Sequence, residues 1–167
     1  MSEYQILHFG PVNAAAVNKR YDASVDINGR PVQLDLHFDN PQAAPGADTL
    51  INQFLEKAAS YDGTIRAAIT EDFDSDGEAV DFVRFFLEDL RPRELKQLLG
   101  HQEEVKSVPQ QLLNKLELVR IGIYADDKNG FFAVYDYTLL INDRPSSQVL
   151  AVEVDDNGSV LSIAWEN

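Results

Sequence analysis

LELVRIGIYA (116–125), FFAVYDYTLLI (131–141), VLAVEV (149–154) and SVLSIAW (159–165) form the stretch whose reading decides the fold. Apolar and aromatic residues alternate through each run, and the breaks between runs fall at turn-forming residues. That pattern predicts four β-strands with one covered face, joined as an antiparallel meander. In the second run, Phe131, Ala133, Tyr135, Tyr137, Leu139 and Ile141 share one face, and Phe132, Val134, Asp136, Thr138 and Leu140 the other. One face must meet a cover of helices, and core packing is the expected use of its aromatics. A bare second face would instead let Tyr124, Tyr135, Tyr137 and Trp165 take part in a recognition surface.

Working outward, the middle of the chain supplies the cover. A helix is predicted from Asp48 as N-cap, with Leu50, Phe54, Ala58, Tyr61, Ile65, Ala68 or Ile69, and Phe73 at spacings of three or four. The stripe keeps its register through Asp62-Gly63, favouring one long helix bent at Gly63 over a second helix capped by Asp62. Ser75 and Glu78 make a capping-box pattern ahead of Ala79, Phe82, Val83, Phe86, Leu87 and Leu90. Pro92 then interrupts; ELKQLLG stops at Gly100, and Pro109 opens a last short helix, QQLLNKL, after the polar HQEEVKS.

The N-terminal part reads as strands. Glu3 to Phe9 alternates weakly, with a small-residue connection through Pro11 and Ala14 to Ala16 after it. YDASVDI and PVQLDLHF flank Asn28-Gly29-Arg30, a tight hairpin whose polar face, Asp26, Asp35, His37 and Asp39, is expected to be wet. Asn-Gly recurs at Asn129-Gly130 and Asn157-Gly158, whereas NDRPSS (142–147) predicts a looser turn. The expected fold is therefore a single α+β domain, 1–167, with N-terminal β-hairpin strands, central helices and a C-terminal four-stranded antiparallel meander, the helices packed on one sheet face.

Composition narrows the function. There is no cysteine, which removes disulfides and thiol chemistry and suits a reducing, cytoplasmic setting. No signal-like start or long uncharged apolar run predicts a membrane association. Fourteen Lys and Arg against twenty-eight Asp and Glu give a net charge of −14, which repels phosphate backbones and argues against nucleic acid. Half of that excess lies in residues 62–90, with nine acids and two bases. No hydrolase motif, phosphate loop, dinucleotide fingerprint or other cofactor motif occurs.

Two features carry candidate chemistry. Asp72-Phe73-Asp74-Ser75-Asp76-Gly77 matches the start of a calcium loop, but its twelfth position is Val83, where a glutamate is needed. The competing reading is an acidic helix N-terminus. His37, beside Asp35 or Asp39, makes a site with His8 conceivable; His101 completes the histidines. Asp126-Asp127 and Asp155-Asp156 sit where Asx turns want them.

LELVRIGIY entering the sheet, YDYTLLI crossing it and VEVDDNGSVLSIAWEN closing it resemble, over residues 48–167, a bacterial family of small acidic α+β proteins grouped as a domain of unknown function. Such proteins are similar in charge and size to the immunity proteins that neutralise basic, nuclease-like toxins. The resemblance implies no catalytic residue. The expected function is a non-enzymatic module that binds a protein with a basic surface through Asp72, Asp74, Asp76, Asp81, Glu88 and Asp89. The alternatives are divalent-cation binding at Asp72, Asp74 and Asp76, and a carboxylate-based enzyme whose acids converge only in the fold.

Overall fold

The computed structural model of the protein describes residues 3–100, 106–127 and 130–167. Its main sheet has six strands in the order β10-β9-β6-β5-β4-β3, with β3 Arg20–Ile27, β4 Arg30–His37, β5 Glu117–Asp127, β6 Gly130–Thr138, β9 Val149–Val154 and β10 Val160–Glu166. The four C-terminal strands form the expected antiparallel meander. The N-terminal hairpin does not stand apart: β4 pairs with β5 in parallel, Gln33 opposite Arg120 and His37 opposite Tyr124, so both halves share one sheet.

The turns follow their chemistry with three corrections. Asn28 and Gly29 both take positive φ, 53° and 82°, as a two-residue hairpin turn requires. At Asn157-Gly158 only Gly158 does, at 77°, and Gly158 N donates to Asp155 O: this is a four-residue turn closed by a bulge. NDRPSS is tighter than expected, because Asn142 and Asp143 both adopt positive φ between the two-residue strands β7 Leu140–Ile141 and β8 Arg144–Pro145. Pro11 lies in a strand, since β1 Glu3–Ile6 turns back into β2 Gly10–Asn13. At the β5–β6 turn Asp127 pairs with Gly130, while Asn129, like His101, lies outside the described residues.

The helices depart from the prediction at their ends. α1 begins at Ala47 with Gly46 in the capping position, not Asp48, and runs to Lys57. One 3-10 turn, Ala58–Tyr61, leads straight into α2, Asp62–Asp74, so the apolar stripe keeps its register with a change of pitch in place of a bend at Gly63. Ser75 closes α2 and does not cap α3, which runs Glu78–Asp89 from Gly77. The cap comes from Asp72, whose Oδ2 accepts from Ala79 N at 2.8 Å and whose carboxylate fills the space a β-carbon on Gly77 would need. Asp72→Ala is expected to cost about 1 kcal/mol in urea unfolding, the usual worth of a helix cap. α4 Pro92–Leu99 and α5 Val108–Asn114 complete the set.

All the large core side chains meet on one side of the sheet. Leu34, Leu36, Ile121, Ile123, Tyr135 and Val152 point at Phe54, Ile65, Ile69, Phe82 and Phe86 from the helices. Phe54 alone packs against the rings of Tyr61, Phe131 and Tyr135. Strand registers then force the alternate residues onto the opposite side, which none of the described helices covers.

Candidate functional site

The helix-free face is built around Asp35. Its neighbours by register are His37 on β4, Arg120, Gly122 and Tyr124 on β5, and Phe132, Val134 and Asp136 on β6. This side was expected to be wet, yet Asp35 has no exposed surface. The guanidinium of Arg120 covers it: Nε donates to Asp35 Oδ1 at 2.7 Å and Nη2 to Oδ2 at 2.6 Å, a two-point fork on one carboxylate. Nη1 reaches Asp136 Oδ2 at 3.0 Å and Nη2 reaches the Tyr124 hydroxyl at 3.2 Å. His37 Nε2 lies 2.5 Å from Asp35 Oδ2.

Gly122 makes this possible. Arg120 folds back along its own strand, and a β-carbon on Gly122 would overlap the guanidinium. Beside the charges runs a ladder of flat rings: His37 stacks on Tyr124 at 4.5 Å and 6°, and Tyr124 on Phe132 at 4.7 Å and 8°. The rings span three adjacent strands.

Electrostatics lock the cluster. Burial works against the charge on Arg120, but hydrogen bonds to Asp35 and Tyr124 and attraction to Asp35 and Asp136 outweigh it, so its pKa rises further. Burial also pushes the Asp136 carboxyl up, against the pull of Arg120. Both carboxylates are committed to one guanidinium on an open face. The surface groove of about 480 Å³ bordered by Arg30, Glu94, Lys115 and Glu117 lies at the other end of β4 and β5, and there Arg30 and Glu117 pair at 3.3 Å.

A second buried charge sits under the helices. Tyr137 donates its hydroxyl to Asp62 Oδ1 at 2.6 Å, and Arg66 Nε donates to Asp62 Oδ2 at 3.0 Å. Arg66 also lies over the Tyr137 ring and donates to Leu116 O. Asp62 thus joins α2 to the sheet.

The candidates from sequence are dispersed. Asp72 is engaged as the α3 cap, Asp74 and Asp76 are exposed, and among the described residues no three His, Asp or Glu side chains are placed to hold a metal ion. Asp81 pairs with Arg84 at 3.1 Å, and Glu88 and Asp89 are exposed. His8 occupies the β1–β2 turn and takes no part in the Asp35 cluster. Of the four aromatics offered for recognition, Tyr135 and Tyr137 are core, Trp165 packs on Phe85 of α3, and Tyr124 alone is on the open face. Asp126 accepts from Asp39 N and Asn40 N, fastening the segment after β4 to β5, and Asp155 accepts from Asn157 N and Ser159 N as an Asx turn should. Arg120 and Asp62 were not singled out as site residues, although an arginine two residues before a glycine inside the apolar run LELVRIGIY is the one local sign of the cluster.

Comparison with known proteins gave no match: no protein-family model, no curated protein and no solved structure aligns with the chain.

Proposed function

We propose that this chain is a non-enzymatic module that binds a protein with a basic surface, an immunity protein set against a basic toxin being its most concrete form. One observation carries the reading. Along α2, its C-terminal turn and α3, Glu71, Asp74, Asp76, Glu78, Glu88 and Asp89 are exposed with no cation within pairing distance among the described residues. Arg84 is held by Asp81, and Arg66 is turned inward to Asp62. The negative field is therefore not cancelled locally, and it raises the encounter rate of a basic partner in a salt-dependent way.

The test is kinetic. A partner co-purified at low salt and then identified is measured against the chain carrying Asp74→Asn, Asp76→Asn, Asp81→Asn, Glu88→Gln and Asp89→Asn, with Asp72 left in place because it caps α3. Association is expected to slow by about tenfold and its salt dependence to flatten. An unchanged association rate, or a partner with an acidic surface, would refute the reading.

A further inference from the structure

A negative field says which partners arrive, not where they dock. We propose that the partner docks on the helix-free face of the sheet, with Tyr124 and Phe132 as apolar anchors and the surrounding carboxylates as a rim for its lysine and arginine side chains. This deepens the reading above and rests on it.

Three observations converge on that face. The first is apolar side chains left outside the core: Tyr124, Phe132, Val134, Val149 and Ala164 face away from the helices and are neither in the core cluster nor packed against it. The second is their company. Register puts Asp22 and Asp26 on this face at the β3 edge, Glu153 and Glu166 at the β9–β10 edge and Asp136 between them. Against these carboxylates and Asp35 stand, among the described residues, two guanidiniums, Arg20, already paired with Asp22, and Arg120, spent on Asp35 and Asp136. An apolar centre with a polar rim is the usual anatomy of a protein interface, and a rim of this sign fits a basic occupant.

The third is rigidity. Tyr124 is held between the His37 and Phe132 rings while its hydroxyl accepts from Arg120, so it has little freedom left to lose when a partner covers it. Tyrosine and arginine at the centre of a patch are the residue types that dominate interface energetics, and prior ordering removes part of the entropic cost of binding. The acids of α2 and α3 lie on the other side of the sheet. They act on arrival; the open face acts on residence.

The experiment selects short random peptides displayed on phage against the wild-type protein, then measures the enriched peptides on Phe132→Ala and on Glu166→Lys. The melting temperature of each variant is recorded first. Glu166 is an exposed rim residue with no pairing partner among the described residues, so its variant separates binding from folding. Enriched peptides are expected to be rich in Lys and Arg and to lose about tenfold or more in affinity on both variants. Basic peptides that bind both variants as well as wild type would overturn the assignment of the face and leave the binding reading standing. Enrichment without basic residues, or no enrichment, would overturn both.

Discussion

Arg120→Ala is expected to destabilise the fold by about 3 kcal/mol, the lower end of the range for breaking a buried ion pair because about a quarter of the arginine side chain reaches solvent. The loss comes less from the attraction given up than from what stays behind. Asp35 is fully buried beneath the guanidinium, and without it the carboxylate keeps only His37 of its described side-chain partners and sits at the bottom of a narrow gap, less well solvated than in the unfolded chain. Arg120→Lys restores the charge but not the fork and is expected to recover only part of the loss. The paired change Asp35→Leu with Arg120→Met removes both charges and is expected to recover most of it. Urea unfolding of the three variants gives the comparison. An Arg120→Ala midpoint close to wild type would show that the pair contributes no net stability.

Asp62→Ala is expected to cost about 2–3 kcal/mol, because it orphans the hydroxyl of Tyr137, which has no exposed surface, and takes from Arg66 its carboxylate partner, leaving that guanidinium Leu116 O and solvent. The same cluster sets an alkaline limit. Burial, then the hydrogen bond and the charge of Asp62, push the Tyr137 phenol up, and burial does the same to Tyr135. The folded chain keeps these protons where the unfolded chain gives them up, so the stability they contribute is complete below about pH 10 and falls as pH rises beyond it. Urea midpoints measured across that window, alongside tyrosinate absorbance, check the sign: the midpoint should fall before the buried phenols ionise in the native state.

How much of this was legible in the chain follows from the distance over which each signal acts. Asn28-Gly29 reports its own turn, because two positive φ angles are a local demand. The meander strands report theirs, because alternation needs only a half-buried face. Asp72 misled for the same reason: alternate aspartates ending in glycine look like a cation loop, and the use of the first one depends on where α3 begins, six residues on. The parallel joint between β4 and β5 leaves no local trace, since Val32, Leu34 and Leu36 alternate identically whichever strand lies beside them. Asp35 was misread through that gap. A carboxylate on the polar side of a strand is ordinarily solvated, and the residue that buries it is 85 positions away.

That joint also dictates an order of assembly. Emerging from a ribosome, a chain that has reached only α5 carries five helices and two separate hairpins, with no sheet on which the greasy helical side can settle. Docking of β4 must wait for β5, so the first two thirds of the polypeptide spend their translation exposed, and shielding them until Tyr124 appears falls to whatever waits at the exit tunnel.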